Sequence, residues 1–356
     1  MSSPFISVII TAYRRKEFLK FAVESVLSQS IDSSNYELII TKDFHDEELD
    51  EIIKRNGIKG IFLEGDSIGK RMAHALEFAK GEVIAFLDDD DIWDRDKLSH
   101  VFRIFSSDGS IVFYHNAEFF IDDNGIELPG LSGWDPNENI KEMREIRILP
   151  SQLGRYDMLR LMHLYLSFNA SSIVVRKRIL DQNISVLQEI DSSPDDFLLF
   201  SALISGGRLV ADDEMLTGYR VHKMNVSAFT SKEDANVPYQ GNYRHRQYAA
   251  YQVMVNLFAR GVQGHILYAF QYSMNYVKLT AMLSTIYGTR REMASVSRLQ
   301  LVYSLRYLIS SSGHSILKSR KFGLWYNVRL SALSALFLFS PGLARSLYSY
   351  MYAEMK

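Results

Sequence analysis

Along the first hundred residues, short apolar runs alternate with segments whose apolar positions recur at helical spacing. The runs FISVII (5–10), YELIIT (36–41), IKGIFL (58–63) and EVIAFL (82–87) are rich in β-branched and aromatic residues and predict strands. Between the first two, Phe18, Ala22 and Val26 recur beside Leu19, Val23 and Leu27, which predicts one broad apolar helix face. Met72, Leu76 and Ala79 predict a second helix before the fourth run, with Gly81 as its stop. Strand–helix–strand alternation predicts an α/β fold with a mostly parallel central sheet and helices on both faces. Ligands of such sheets bind beyond the carboxyl ends of the strands. Asp43 follows the second strand and Asp88 the fourth, so both fall on that edge.

From about 110 to 222 the pattern loosens. SIVFYHNAEFF and SSIVVRKR predict strands, and SPDDFLLFSALISGG predicts a helix entered through Ser193-Pro194 and stopped by Gly206-Gly207. RLVADDEMLTGYRVH returns in extended form, and 122–150, studded with Gly, Pro and Asn, reads as one long loop. Beyond about 240 the strand signals fade into Leu-, Ala-, Tyr- and Met-rich stretches that predict an all-helical region.

Charge sharpens that division. The 356 residues carry a net charge of only −2, but residues 1–234 hold 26 basic and 40 acidic side chains, while 235–356 hold 14 basic ones and two acids, Glu292 and Glu354. Such a split predicts two domains, 1–234 and 235–356, with different partners. Cysteine is absent, which excludes a disulfide framework and a thiolate metal site and fits a reducing cytosol. The opening MSSPFISVIITAY lacks the basic flank and cleavage site of a signal peptide.

One segment carries candidate chemistry. In VIAFLDDDDIWD (83–94) a strand that should be buried ends in four consecutive carboxylates. An acidic run is usually a solvated loop. At the mouth of a buried strand, however, like charges raise one another's pKa, and a divalent cation reverses that penalty. All-oxygen ligands suit Mg²⁺ or Mn²⁺, which commonly share their shell with substrate phosphates. No P-loop or G-x-G-x-x-G accompanies the cluster, so NTPase and dinucleotide readings are weak.

The segments SVIITAYRRKEFLKFAVESVLSQS, YELIITKD and AKGEVIAFLDDDDIWDRDKL, in that order, resemble the N-terminal half of the family 2 glycosyltransferases, inverting enzymes of the GT-A fold. The resemblance continues through SSIVVRKRIL, PDDFLLFSALISGG and TGYRVHKMNVS, and 111–167 and the C-terminal third carry little of it. It implies a GT-A catalytic domain, a nucleotide-sugar donor, a glycan or lipid-linked acceptor, and Mn²⁺ or Mg²⁺. Asp88 and Asp90 match the family's D-x-D element, the first approaching the donor and the second the metal. Asp89 belongs to the donor side of the cluster and Asp91 to its metal side. Thr11, Ala12 and Tyr13 match the segment lining the nucleotide base, and Asp43 matches the acid that recognises it. Asp196, in an Asp195-Asp196 pair where the family has Glu-Asp, matches the general base, and His222 matches a histidine beside the diphosphate or metal.

Two departures stand out. Lys42-Asp43-Phe44-His45 replaces the usual Asp-Asp-Gly-Ser, and Arg71-Met72-Ala73 replaces an Ala-Arg-Asn triplet, so Lys70 and Arg71 become candidates to supply positive charge from a shifted position. They slightly favour the rival reading of a non-catalytic nucleotide-sugar or membrane-binding module, against which the intact D-x-D element, Asp196 and His222 together argue; a sugar nucleotidyltransferase is weaker still, because its Gly-rich N-terminal signature is missing. Between 293 and 353 there is no acid, while Arg298, Arg306, Lys318, Arg320, Lys321, Arg329 and Arg345 supply positive charge beside Trp325 and Tyr326. The apolar run LSALSALFLFSPGLA is 15 residues long, too short to span a bilayer, which needs about 20. These features predict peripheral attachment to the cytoplasmic face of a membrane. No feature points to nucleic acid.

Overall fold

A computed structural model of the chain describes residues 3–13, 16–130, 136–153, most of 157–222 and 238–258, with scattered positions beyond. The elements begin with β1 (Ile6–Thr11), α1 (Leu19–Leu27), β2 (Tyr36–Lys42), α2 (Glu47–Arg55), β3 (Lys59–Phe62), α3 (Ile68–Phe78), β4 (Val83–Asp88), β5 (Ile92–Trp93), α4 (Lys97–Ser107) and β6 (Ile111–Ile121). They continue with β7 (Glu127–Leu128), α5 (Glu138–Met143), β8 (Glu145–Ile148), β9 (Ile173–Arg176), α6 (Lys177–Asp181), α7 (Ile184–Glu189), α8 (Pro194–Ser205), β10 (Arg208–Arg220) and α9 (Pro238–Phe258). Packing separates two compact units, one of Met1–Pro129, Ile140–Ser151 and Ser167–Arg220, the other of Gly130–Asn139, Gln152–Leu166 and Val221–Lys356.

The first unit holds a 10-stranded sheet in the order β3-β2-β1-β4-β9-β6-β10-β5, with β7 beside β6 and β8 beside β10. Strands β3, β2, β1 and β4 are mutually parallel, as the strand–helix alternation requires. Next, β9 runs antiparallel between β4 and β6, and β10 returns parallel to β6. The inner strands read as continuous apolar runs because both faces are covered. Ile6, Val8 and Ile10 of β1 join Ala22 and Val26 of α1 and Leu98 and Val101 of α4 in one cluster. On the sheet, α3 packs against β1 and β2.

The helix starts obey local chemistry. Asp46 caps α2 through the N–H of Leu49, with Glu47 and Glu48 in the first turn and Lys54 and Arg55 in the last. Gly206 ends α8 in the left-handed conformation, φ 69°.

Two expectations are corrected. Gly81 is no helix stop: α3 ends at Phe78 with Ala79 as its cap. A Cβ at Gly81 would lie 2.5 Å from the Ser7 backbone nitrogen, so glycine is required by the close approach to β1. The stretch 122–150 is not one loop; it contains β7, α5 and β8, elements of six residues or fewer that are too short to leave a periodic signal. In the second unit α9 is helical, in keeping with the pattern beyond 240. The basic stretch 293–353, with its arginines, Trp325 and the 15-residue run, lies outside the described residues except for single positions. Among the described residues, no helix is long and apolar enough to cross a membrane.

Candidate active site

Strand register sets the site. Thr11, the last residue of β1, pairs with Thr41 of β2 on one side and Asp88 of β4 on the other, so the ends of all three strands share one edge. Beyond β4 the chain turns tightly, with the Asp91 N–H donating to the Asp88 carbonyl at 3.3 Å. It then re-enters the core through Trp93, whose indole N–H donates to the Ser171 carbonyl at 2.8 Å. The acidic run is therefore a turn pinned at both ends.

Its four carboxylates do different work. Asp89 is buried and accepts the Tyr13 N–H at 3.1 Å, which fixes the residues following β1. Asp91 is also buried and accepts three hydrogen bonds, from Asn169 Nδ2 at 2.8 Å, Ser171 Oγ at 2.7 Å and the Arg220 N–H at 2.9 Å. Asp88 is half-buried and Asp90 buried, and carboxylate oxygens of Asp88, Asp90 and Asp91 all lie within 4.8 Å of one another. Burial pushes the Asp91 carboxyl well above the usual range, and the neighbouring Asp90 and Asp88 charges push it the same way. Three mutually repelling oxygen donors, two of them buried and one half-buried, make a site that a hard divalent cation would relieve, so the donor set fits Mg²⁺ or Mn²⁺.

The base-side candidates also come together. Arg71, 1% exposed, donates from Nε to the Asp66 carbonyl at 3.0 Å and from Nη1 to the Ala12 carbonyl at 3.1 Å. Its Nη2 lies 3.6 Å from Asp43 Oδ2, and the guanidinium stands 4.8 Å from the centre of the Tyr13 ring. Arg71 thus brings positive charge to Ala12, Tyr13 and Asp43. Lys70 does not share this: its side chain is exposed, and its backbone N–H serves the Ser67 cap. Lys42 instead binds Asp50 at 2.7 Å and the Phe44 carbonyl, holding the loop that carries Asp43.

Asp195 and Asp196 open α8, where the helix dipole favours negative charge. Ser193 precedes them with left-handed backbone, φ 55°, and does not cap the helix. Burial raises the Asp195 carboxyl well above the carboxylate range, followed by the charges of Asp196 and Asp88. The α8 start therefore lies within electrostatic reach of the acidic turn. His222 belongs to the second unit, is buried, and gives its backbone N–H to Asn225 Oδ1 at 2.6 Å.

Residues 7–162 match the profile of glycosyl transferase family 2. Over that stretch the chain is similar to family 2 glycosyltransferases. It is 28% identical over 277 residues to the Escherichia coli UDP-Glc:alpha-D-GlcNAc-diphosphoundecaprenol beta-1,3-glucosyltransferase WfaP, covering 75% of this chain and 96% of that protein. It is 36% identical over 102 residues to the Bacillus subtilis putative teichuronic acid biosynthesis glycosyltransferase TuaG, covering 27% of this chain and 39% of that one. Among solved structures, residues 1–349 of S. aureus TarS in complex with UDP-GlcNAc align with TM-score 0.55 at 16% identity, over 85% of this chain and 88% of that one. A mannosyltransferase from Pyrobaculum calidifontis, in complex with GDP-Man and Mn²⁺, aligns with TM-score 0.53 at 12% identity, over 99% and 85%. The last two establish the shared GT-A fold.

Around the acidic turn, the chain has supports that its motifs do not announce. Arg220, 1% exposed, donates from Nε to the Asp90 carbonyl at 2.7 Å and from Nη1 to the Asp122 and Asp123 carbonyls. Behind it, Lys97, Asn116, Thr217, Ser172 and Glu118 form a buried polar layer, in which Lys97 Nζ donates to Asn116 Oδ1 and Ser172 Oγ to Glu118 Oε1. Burial lowers Lys97 to about 7 and raises Glu118 to about 8. The sequence signal for this layer is a short run of small residues, Asn169-Ala170-Ser171-Ser172, three of them polar, directly ahead of a buried strand.

Proposed function

We propose that this protein transfers a sugar, with inversion, from a nucleotide-sugar donor to a hydroxyl of a glycan or lipid-linked acceptor. The observation that carries the reading is the acidic turn at the shared edge of β1, β2 and β4, where carboxylate oxygens of Asp88, Asp90 and Asp91 lie within 4.8 Å of one another. Thr11, Ala12, Tyr13, Asp43 and Arg71 form the base-binding side, and Asp88 and Asp89 lie between it and the diphosphate. Asp90 and Asp88, with the remaining lone pairs of Asp91, would hold Mn²⁺ or Mg²⁺, whose charge would offset that gathering on the leaving diphosphate.

Asp196 accepts the proton of the acceptor hydroxyl. The hydroxyl oxygen bonds to the anomeric carbon from the face opposite the nucleotide, and the bond to the diphosphate breaks with its electron pair leaving on phosphate oxygen. The charge development is oxocarbenium-like, as in inverting glycoside hydrolysis. Asp195, with its raised affinity for a proton, shapes the site beside Asp196 rather than competing as base. His222 keeps the role that the family resemblance implies, a histidine beside the diphosphate or metal. The E. coli relative acts on a diphosphoundecaprenol-linked sugar, and the basic, acid-free stretch 293–353 supports an acceptor met at the cytoplasmic face of a membrane, with the chain divided functionally near residue 235.

The rival reading, a non-catalytic module, rested on the changed residues around Lys42 and Arg71. Arg71 placed against Asp43 and Ala12 removes most of that support. Incubation with Mn²⁺ and a panel of nucleotide sugars separates the two: an enzyme consumes one donor, at least by slow hydrolysis, and a binding module consumes none.

A further inference from the structure

Ser171 touches both ends of the acidic turn. Its hydroxyl accepts the Asp88 backbone N–H at 3.0 Å and donates to Asp91 Oδ2 at 2.7 Å. Its carbonyl accepts the Trp93 indole N–H at 2.8 Å and the Thr217 hydroxyl at 3.2 Å. Its own N–H donates to Asn169 Oδ1 at 3.0 Å, while Asn169 Nδ2 donates to Asp91 Oδ2. Ser171 is fully buried, so no water competes for these bonds. Asn169 reaches its position through a backbone with φ 64° and ψ 112°, outside the ordinary regions for a non-glycine residue. Strain of that kind persists only where the surroundings over-determine it. Here the surroundings are the donors and acceptors of the acidic turn.

The arrangement has a direction. Asp91 takes three of about four hydrogen bonds a carboxylate can accept, so its main service is as an anchor. The Asp91 carboxylate is tied to the Asp88 backbone N–H through that hydroxyl, beside the bond from the Asp91 N–H to the Asp88 carbonyl. The hydroxyl thus helps set the spacing of Asp88 from Asp91, and of Asp90 between them.

We propose that Ser171 is a positioning residue for the divalent cation, with Asn169 as its brace: its hydroxyl holds the Asp88 backbone and the Asp91 carboxylate at the separation that brings the three carboxylates together. The proposal rests on the metal-dependent reading above. Removing partners that orient metal ligands typically costs about 10–100-fold in metal affinity.

The test uses the full-length protein. Free Mn²⁺ is followed by electron paramagnetic resonance in a titration with and without UDP or GDP, and unfolding temperature is measured in parallel without metal. Ser171→Ala should weaken Mn²⁺ binding about 10–100-fold, and Ser171→Thr, which keeps the hydroxyl, should restore most of it. Thr217→Val, which removes a hydroxyl that contacts the Ser171 carbonyl but no aspartate of the turn, should cost stability without a matching loss of Mn²⁺ affinity. Should Ser171→Ala fail to fold, Asn169→Gly, which suits the left-handed backbone and deletes the brace, must show the same metal-specific loss. A wild-type Mn²⁺ affinity in Ser171→Ala or in Asn169→Gly, or equal losses in Ser171→Ala and Thr217→Val, overturns the proposal while leaving the metal-dependent reading intact. Absence of Mn²⁺ binding by the wild-type protein, with either nucleotide, overturns both.

Discussion

The guanidinium of Arg71 lies 3.6 Å from the carboxylate of Asp43, joining the first turn of α3 to the end of β2 at the edge where β1 also ends. The same side chain accounts for the Ala12 carbonyl and stands over Tyr13, so one arginine organises the proposed base-binding side. Arg71→Lys keeps the charge and loses the fork. Hydrogen bonds to charged groups contribute about 1.5–3 kcal/mol each, so UDP or GDP affinity should fall at least tenfold. Calorimetric titration of nucleotide against the variant, beside Mn²⁺ alone, checks this; unchanged nucleotide affinity would remove Arg71 from the donor site.

Asp196→Asn keeps the shape at the start of α8 and deletes the proposed base. Turnover should drop about 10²–10⁴-fold, with donor KM nearly unchanged. Near-normal turnover would move the base elsewhere, with Glu189, Asp191 and Asp195 the next residues to substitute.

Much of this could be read in the sequence, for identifiable reasons. Strands β1 and β4 are buried on both faces, so their apolar runs mark them plainly, and Pro194 and Gly206 bracket α8. Strands β7 and β8 escaped because, at two and four residues inside a Gly-, Pro- and Asn-rich stretch, they carry no apolar run such as marks β3 and β9. Within the site, adjacent aspartates look alike on paper, yet Asp89 serves Tyr13 and Asp91 serves Asn169, Ser171 and Arg220. Those partners come from positions 76 to 129 residues away, and no local pattern encodes such pairings. Arg71 was legible as a shifted cation; that it is buried against Ala12, whereas Lys70 points to solvent, depends on helical phase.

The buried layer under the turn gives a pH signature. Glu118 is raised from 4.5 to about 8, chiefly by burial, so between those values the folded state holds a proton that the unfolded state has lost. Its contribution to stability is fully present below about 4.5 and declines as pH rises toward 8. His115, lowered to about 4 by burial, works the opposite way between about 4 and 6.5, and Lys97, lowered to about 7 by burial, works that way above about 7, so the wild-type curve alone mixes all three. The difference between wild type and Glu118→Gln isolates the glutamate: in urea unfolding at a series of pH values, wild type should lose stability relative to the variant from pH 5 to 8. A flat difference would contradict the burial-driven shift.

Attachment to membrane, through residues outside the described structure, predicts a salt-sensitive interaction. Replacing Lys318, Arg320 and Lys321 by Glu should reduce co-sedimentation of full-length protein with anionic vesicles more than tenfold, at about 1 kcal/mol for each basic residue lost. Equal partitioning of wild type and variant, or binding indifferent to salt and to anionic lipid, would contradict the proposed attachment.

The central claim is inverting transfer at the junction of the acidic turn and α8. Its most direct test is to supply full-length protein with Mn²⁺, a panel of nucleotide sugars and a GlcNAc-diphosphate-lipid acceptor, then determine product formation and the anomeric configuration of the new bond. The account predicts a product whose configuration is opposite to that of the donor, formed by wild type and lost in both Asp90→Ala and Asp196→Asn. A product of retained configuration, or equal product from wild type and the two variants, would contradict it.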